Sequence, residues 1–366
     1  MSRNLLVLVA FALLCIVLAP LYKHQQIPYK EIIPIPITKE VTIKTSNPKK
    51  IILLSDSFLP TTFAGSELSA FETIKYLRER GHDISVYVKI YKVSEYDGFP
   101  IYKIDFNDDK CKNEILNADI VFYQMGRESI NLETVKLRKK MTYIFIHVLN
   151  SYDWLLQQKV NFPITIVYNS RMTQDTIPSF YNNMRMIPYV DTSKLRLNKE
   201  FTMQNDVVTL INCNQNKGGE ILVEIAKKMP DVQFLGVRGG YSNQIIEKST
   251  NLTYMDNQKD INIVLRKTGI LIMPSNNETW GRTAVEAMAS GIPVIHSESP
   301  GLVECVGGAG IQCDRIDVDG WCQSIRRILG DRAFREHLRQ NGFKRVKEIE
   351  VEQIRGRQEL ARMIEN

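Results

Sequence analysis

The feature that most constrains the fold is an alternation of short apolar runs with amphipathic stretches, which occurs twice along the chain. In the first half, the apolar run Ile51–Leu54 is followed by a helical pattern over Glu67–Gly81 and by the run Asp83–Val88. Continuous apolar runs of this length are typical of parallel strands buried on both faces. The pattern restarts at Val207–Ile211. Two series of alternating strands and helices predict two doubly wound, Rossmann-like α/β domains.

The polar stretch Leu195–Asp206 divides the two series. We therefore place an N-terminal domain at 49–195 and a C-terminal domain at 207–345, followed by a C-terminal helix at 346–366. Ligands of doubly wound sheets bind beyond the carboxyl ends of the strands, so two facing domains predict a site in the cleft between them. Further strands are predicted at 120–123, 143–146, 164–168, 232–237, 269–275 and 293–297.

An uncharged apolar segment, Leu5–Leu21, lies near the amino terminus. At about 1.5 Å per residue, it is just long enough to cross a bilayer core as a helix. We therefore predict an uncleaved transmembrane anchor at 1–22. The alternatives are a cleaved signal peptide, for which Arg3 would supply the short positive n-region, and a buried helix. Residues 23–48 are predicted to form an extended stem, because four prolines interrupt them: Pro28, Pro34, Pro36 and Pro48.

Charges and cysteines bear on the partners and the compartment. Three lysines follow the apolar segment, against one arginine before it, a slight bias towards a cytosolic catalytic domain. The five cysteines outside the segment lack the spacing of a disulfide framework or a zinc site, as suits a reducing compartment. The net charge of +6 is modest and does not favour nucleic-acid binding. We therefore predict a single-pass membrane protein whose catalytic domain faces the cytosol rather than a lumen.

The stretch Pro274–Ile295, PSNNETWGRTAVEAMASGIPVI, carries the most chemical information. A strand ends just before it, a loop places Glu278 at the carboxyl end of that strand, and a helix begins near Trp280. The free N–H groups and the positive dipole end of such a helix favour a phosphate group in the cleft. Glu286 lies one to two turns into the helix, and carboxylates are suitable acceptors for sugar and ribose hydroxyls.

This stretch resembles the donor-site signature of the retaining family 4 glycosyltransferases, which have the GT-B fold. The resemblance implies that Glu278 contacts the donor sugar or its leaving group and that Glu286 binds the ribose diol of the nucleotide. Pro300–Glu304 resembles the segment that normally follows. Three further positions inside the signature are expected to line the donor site: Trp280, Gly281 and Arg282.

Lys217 follows a predicted strand and opens a helix, where a lysine can reach a diphosphate. In the family, this lysine has an arginine partner five residues upstream, and here that position is Asn212. The departure places the usual diphosphate clamp in doubt. Arg238, in the loop after the next strand, or Arg282 is the candidate for the missing charge.

The N-terminal domain contributes three candidates to the cleft. Gly65 and Ser66 lie in a segment that resembles the family's small-residue loop after the first strand, where backbone N–H groups approach the phosphate or the acceptor. His147 ends a predicted strand at the cleft, where the family often has a polar residue near the sugar. A histidine with a purely structural role fits that position as well.

We therefore predict a retaining glycosyltransferase that moves a sugar from a nucleotide-diphosphate sugar to a glycan, lipid or protein acceptor. No cofactor and no metal are expected: the nucleotide sugar is a co-substrate, and no DxD pair follows a strand. A catalytically inactive carbohydrate-binding or scaffolding homologue remains the alternative, since Asn212 replaces an arginine. A nucleotide-sugar epimerase with the same fold is also open, whereas the lack of G-x-G-x-x-G after Ile51–Leu54 counts against a nicotinamide enzyme.

Overall fold

The computed structural model describes residues 43–124, 140–147, 163–195, 197 and 199–366. Over these residues the chain forms two β-sheets, each built around a central strand with neighbours added on both sides. The first sheet has the strand order β3-β4-β2-β1-β5-β6-β7-β8 and the second β11-β10-β9-β12-β13-β14. All neighbours are parallel except the β3–β4 pair. The predicted pair of doubly wound α/β domains is confirmed.

The strands that lie in the described residues are β1 Lys50–Ser55, β2 Asp83–Val88, β3 Glu95–Tyr96, β4 Phe99–Lys103, β5 Ile120–Gln124, β6 Thr142–Ile146, β7 Ile164–Tyr168, β8 Asn182–Arg185, β9 Val208–Ile211, β10 Phe234–Val237, β11 Leu252–Met255, β12 Ile270–Met273, β13 Val294–Ser297 and β14 Ile311–Cys313.

The helices that the structure describes are α1 Gly65–Glu79, α2 Asp109–Asn117, α3 Arg171–Gln174, α4 Lys199–Gln204, α5 Gly219–Lys228, α6 Ile261–Leu265, α7 Arg282–Ala289, α8 Pro300–Val306, α9 Val318–Gly330 and α10 Arg332–Glu365. Several begin at an aspartate whose carboxylate accepts a bond from a free backbone N–H of the first turn. Asp331, for example, accepts from Phe334 N at 2.9 Å at the start of α10. Asp108 caps α2 in the same way by accepting from Cys111 N.

Helix α10 crosses from the second domain to the first. In its first half, Leu338 and Val346 pack in the cores around the second sheet, while Leu360 and Ile364 near its end pack in the core beside β1 and α1. The sequence placed a separate helix at 346–366. The structure has one continuous helix from residue 332, because no glycine or proline that would end it stands at the predicted boundary.

The last turn of α10 is fixed to the first domain by charge. Arg80 donates two bonds to the Glu365 carboxylate, at 2.7 and 2.8 Å, and the ring of the buried His82 lies 3.3 Å from the same group. Residues near the carboxyl end of the predicted stem also bind here: Asn47 Nδ2 donates to the Glu365 carbonyl at 2.6 Å, and Thr45 N donates to the Arg80 carbonyl at 2.8 Å.

The predicted anchor at 1–22 and most of the predicted stem lie outside the described residues. Among the helices that the structure describes, none combines the length and the apolar composition that a membrane crossing requires.

Replacing Glu365 with glutamine removes the charge that Arg80 binds. We expect Glu365→Gln to lower the free energy of unfolding by about 1–2 kcal/mol at pH 7, the order expected for charge-assisted hydrogen bonds at a partly exposed site. The Arg80 guanidinium holds the pKa of Glu365 below its usual value. The stabilisation is therefore complete above the ordinary glutamate pKa, about 4.3, and is lost as the pH falls through the lowered folded value.

Urea unfolding at pH 7 and near pH 3 measures this difference. Glu359→Gln, at an exposed position of the same helix, is the matched control and should change little at either pH. A Glu365→Gln variant as stable as the wild type at pH 7 would contradict the assignment.

Candidate active site

Two loops at the carboxyl edge of the second sheet form the floor of the candidate site. One follows β9 and contains the 3₁₀ turn Gln215–Lys217, and the other, 274–281, joins β12 to α7. Gly218 lies in the left-handed region with φ +86°, and a Cβ there would lie 2.6 Å from Pro274 Cγ. The glycine thus lets the two loops pack directly against each other.

Lys217 and Glu278 meet where these loops touch. Lys217 Nζ donates to Glu278 Oε2, and the two side chains are each 18% exposed. Burial opposes the charge of the lysine, but the Glu278 carboxylate outweighs it and raises the pKa of Lys217 above its usual value. The structure therefore brings together the predicted phosphate-binding cation and the predicted sugar-binding carboxylate, and the cation is held in its charged form.

The second domain fixes the loop that carries Glu278 from behind. Glu278 N donates to Ser299 Oγ at 2.8 Å, and Ser275 Oγ donates to the Glu278 carboxylate at 3.3 Å. Gly301, in the first turn of α8, lies against the same loop, since a Cβ there would lie 2.1 Å from the Glu278 carbonyl oxygen. The position of Glu278 is thus set by contacts on three sides.

The neighbouring residue, Thr279, connects this loop to the first domain. Thr279 Oγ1 donates to the His147 carbonyl at 2.7 Å and accepts from Asn169 Nδ2 at 3.2 Å. His147 and Asn169 follow β6 and β7, so both partners lie at the carboxyl edge of the first sheet. The two sheet edges therefore meet at the residue next to Glu278, as the cleft prediction requires.

The His147 side chain is turned to its own domain. Its Nε2 lies 2.9 Å from Gln124 Oε1, and since a carbonyl oxygen can only accept, Nε2 is the donor. Burial lowers the pKa of His147 to about 4. At neutral pH this residue is an uncharged hydrogen-bonding group at the cleft rather than a cation.

Glu286 lies on the first turns of α7 and is 6% exposed. Burial raises the pKa of its carboxyl group, and Arg282 on the same helix opposes that rise. Arg282 Nε donates to Glu286 Oε1 at 2.9 Å, and its Nη1 donates to the Tyr189 carbonyl at 2.6 Å. The structure thus pairs Arg282 with the second glutamate of the signature.

Asn212 and Arg238 are engaged by groups other than Lys217. Asn212 has φ +70°, and its Oδ1 accepts from Gln244 Nε2 at 3.1 Å. Gln244 in turn accepts from Gly239 N at 2.8 Å, so the Asn212 side chain supports the loop after β10. Arg238 is about half exposed and pairs with Asp256 at 2.9 Å. The structure places neither side chain in the Lys217–Glu278 pair.

The remaining predicted residues make contacts within their own domains. Gly65 begins α1, and Ser66 Oγ donates to the Glu67 carboxylate at 2.8 Å. Glu67 is a group that the sequence reasoning did not select, and burial raises its pKa. Trp280 is 2% exposed and belongs to the core of the second domain, while Gly281 precedes α7, where a Cβ would lie 2.8 Å from Leu302.

Further contacts between the domains were also missed from the sequence. Glu304 accepts from Arg171 N at 2.8 Å and from Arg185 Nη2 at 2.6 Å. Glu304 belongs to the segment that resembles the one following the family's donor-site signature, but nothing in the sequence indicated which residues it would bind. Asn169 carried one usable signal, since it is a polar residue that directly follows a predicted strand.

Among the described residues, no group of three or more His, Cys, Asp or Glu could hold a metal ion, and metal independence stays a prediction.

Comparison with known proteins agrees with this geometry. Residues 198–345 match the family model of glycosyl transferases group 1. A 2-deoxystreptamine N-acetyl-D-glucosaminyltransferase of Niallia circulans is 25% identical over 230 residues, which cover 58% of this chain and 56% of the relative. A D-inositol 3-phosphate glycosyltransferase of Mycobacterium sp. (strain KMS) is 32% identical over 130 residues, 31% of this chain and 29% of that protein. The matched regions thus span little more than half of these relatives, or less.

Among solved structures, Anabaena Alr3699/HepE in complex with UDP and glucose superposes with a TM-score of 0.72. The superposition covers 86% of this chain and 99% of that one, at 15% sequence identity. At this identity the likeness establishes the fold alone, which is that of a GT-B protein.

A methyl group at position 301 tests how firmly the Glu278 loop is held. We expect Gly301→Ala to lower the free energy of unfolding by about 1–3 kcal/mol, because the new Cβ meets backbone that has to move. Gly308→Ala is the control, since a Cβ there has no atom within 4 Å. Chemical denaturation of both variants gives the two values, and equal stabilities would contradict the close packing of α8 on this loop.

Proposed function

Because residues 198–345 form a glycosyl transferases group 1 domain, we propose that the chain is a retaining glycosyltransferase that uses a nucleotide-diphosphate sugar. The acceptor would be a hydroxyl group of a glycan, lipid or protein. The observation that carries the proposal is the Lys217–Glu278 pair, which lies at the carboxyl edge of the second sheet beside the contact of Thr279 with the first domain.

Each charged group has a role on the donor. Lys217 binds the diphosphate, together with the amino-terminal end of α7, and both stabilise the negative charge that develops as the diphosphate leaves. Glu278 is then free to accept hydrogen bonds from the sugar hydroxyls, and Glu286 accepts those of the ribose diol. This arrangement uses fixed charges and dipoles of the protein, and we propose that transfer needs no metal ion.

The first domain supplies the acceptor side. The acceptor hydroxyl attacks the face of the sugar from which the diphosphate departs, which gives retention without a long-lived bond to the enzyme. Neutral His147 lies beside Thr279, so the closed cleft presents a hydrogen-bonding group there rather than a competing charge. Contact between the domains also excludes water, which would otherwise hydrolyse the donor.

A catalytically inactive carbohydrate-binding homologue is the second candidate, and one observation favours it. Asn212 stands where the related enzymes have an arginine, and its side chain supports the loop after β10 through Gln244. A nucleotide sugar bound without turnover would identify such a protein. Transfer or slow hydrolysis of the donor would identify an enzyme, so one assay separates the two functions.

Three substitutions in the full-length chain, purified in detergent, should separate donor binding from turnover. Lys217→Ala and Glu286→Gln each remove a charged partner of the nucleotide and should weaken its binding by about 10- to 100-fold. Glu278→Gln should lower the transfer rate more than it weakens nucleotide binding. Calorimetry with UDP and GDP measures the first effect, and release of nucleotide from a panel of nucleotide sugars, with EDTA present, measures the second.

Lys227→Ala is the matched lysine control, because that side chain is exposed and pairs with Glu247 on the surface. If both the Lys217 and Glu286 variants bind and turn over the donor like the wild type, the assignment of the donor site to these residues is wrong. A strict requirement for Mg²⁺ or Mn²⁺ would contradict the metal-free mechanism.

We further propose that Leu5–Leu21 anchors the protein in a membrane with the catalytic domain in the cytosol. The lysines after the segment support this orientation, as does the sequon Asn277–Thr279, because a lumenal glycan on Asn277 would obstruct the cleft. In sealed microsomes, protease should digest the catalytic domain without detergent. Protection until detergent is added, or glycans at Asn251 or Asn277, would reverse the orientation.

A further inference from the structure

Arg282 lies between the candidate ribose carboxylate and the segment that joins the two domains. One arm of its guanidinium donates to Glu286 at 2.9 Å and another donates to the Tyr189 carbonyl at 2.6 Å. The side chain is 17% exposed. A guanidinium with two bonds of fixed direction defines where the Glu286 carboxylate lies relative to the chain at Tyr189.

The segment that Arg282 binds is itself held by α10. Gln353 Nε2 donates to the Pro188 carbonyl at 2.7 Å, and the Arg357 guanidinium lies 4.2 Å from the centre of the Tyr189 ring. Within the part of the chain that the structure describes, one passage between the domains runs through residues 187–195 and another through α10. Arg282 therefore connects the carboxylate on α7 to the first of these passages, and Gln353 and Arg357 connect that passage to the second.

The groups around this contact leave Glu286 dependent on Arg282. Three charged groups from other segments lie near this contact: Glu72 on α1, Asp191 shortly after Tyr189, and Arg357 on α10. Burial raises the pKa of Glu72, and the positive charge of Arg282 opposes that rise. Among the described residues, Arg282 is the charged group that interacts with the Glu286 carboxyl group, by charge attraction and by a hydrogen bond. Burial on its own favours the neutral acid, which keeps one acceptor oxygen but turns the other into a donor, so it can no longer accept from two hydroxyl groups through both oxygens.

We propose that Arg282 is a positioning residue for the nucleotide: it fixes the Glu286 side chain as an acceptor of the ribose diol, favours the carboxylate form of that side chain and does not itself bind the diphosphate. This inference rests on the proposed function, and it assigns Arg282 a different task from the phosphate contact that the sequence suggested. The residue acts on the donor through Glu286, so its removal should change the protonation of that carboxyl group.

Nucleotide binding as a function of pH tests the assignment. In Arg282→Gln, UDP binding at pH 7 should fall by about 10- to 100-fold and should recover as the pH rises, because base restores the Glu286 carboxylate. Glu286→Gln should bind weakly at every pH. Arg282→Lys should recover part of the affinity, since it keeps the charge but loses one of the two fixed bonds.

Uridine, which has no phosphate group, separates the two possible roles. If Arg282 positions Glu286, Arg282→Gln should weaken uridine and UDP by similar factors, with uridine measured by its competition against UDP. An arginine that clamps the diphosphate would leave uridine unaffected and weaken UDP equally at all pH values, and that outcome would overturn the proposal. Arg326→Gln, which removes a surface arginine paired with Asp231, is the control.

A measurement without ligand keeps this test independent of the proposed function. Infrared difference spectra in deuterated buffer, with Glu286→Gln as the reference, report the carbonyl band of the protonated Glu286 side chain. That band should persist to higher pH in Arg282→Gln than in the wild type, and identical titrations would refute the inference. If the wild type binds no nucleotide, the proposed donor site fails, while this titration still decides whether Arg282 controls Glu286.

Discussion

A single helix that belongs to two cores is the constraint on which the site depends. Helix α10 packs Leu338 and Val346 in the second domain and Leu360 and Ile364 in the first. Its 34 residues span about 50 Å, so the two cores cannot be packed independently of each other. With the sheets fixed in this way, the loops at their carboxyl edges come close enough for Thr279 to bond the His147 carbonyl.

Within that cleft the buried charges occur in opposite pairs. Lys217 is bound to Glu278, and Arg282 to Glu286, with side chains that are at most 18% exposed. An unpaired charge at such positions would be costly, so each partner offsets the cost of burying the other. The pairs differ in what the proposed donor would do to them: a diphosphate replaces Glu278 on Lys217, whereas ribose hydroxyls can bind Glu286 while Arg282 stays in place.

The sequence predicted the parts of the fold that repeat and missed those that depend on distant neighbours. Strands such as Ile164–Tyr168 were evident from their apolar residues, but β8, Asn182–Arg185, has mostly polar ones and exists because it pairs with β7. Likewise, the motif located Glu278 and Lys217, because their chemistry is local. The bond between Asn169 and Thr279 joins residues 110 positions apart and has no sequence pattern, since it depends on where two loops end in space.

The position of Asn212 shows what the missing arginine changes. Asparagine is among the few residues that tolerate the left-handed backbone found there. Its side chain packs closely against Gly239, where an added Cβ would lie 2.2 Å from Asn212 Oδ1. The space is therefore filled by a short amide that supports the loop after β10. In the proposed reaction, the diphosphate depends more heavily on Lys217 than in related enzymes. The Glu278 carboxylate favours the charged form of this lysine against the effect of burial, and this is the form that the proposed donor requires.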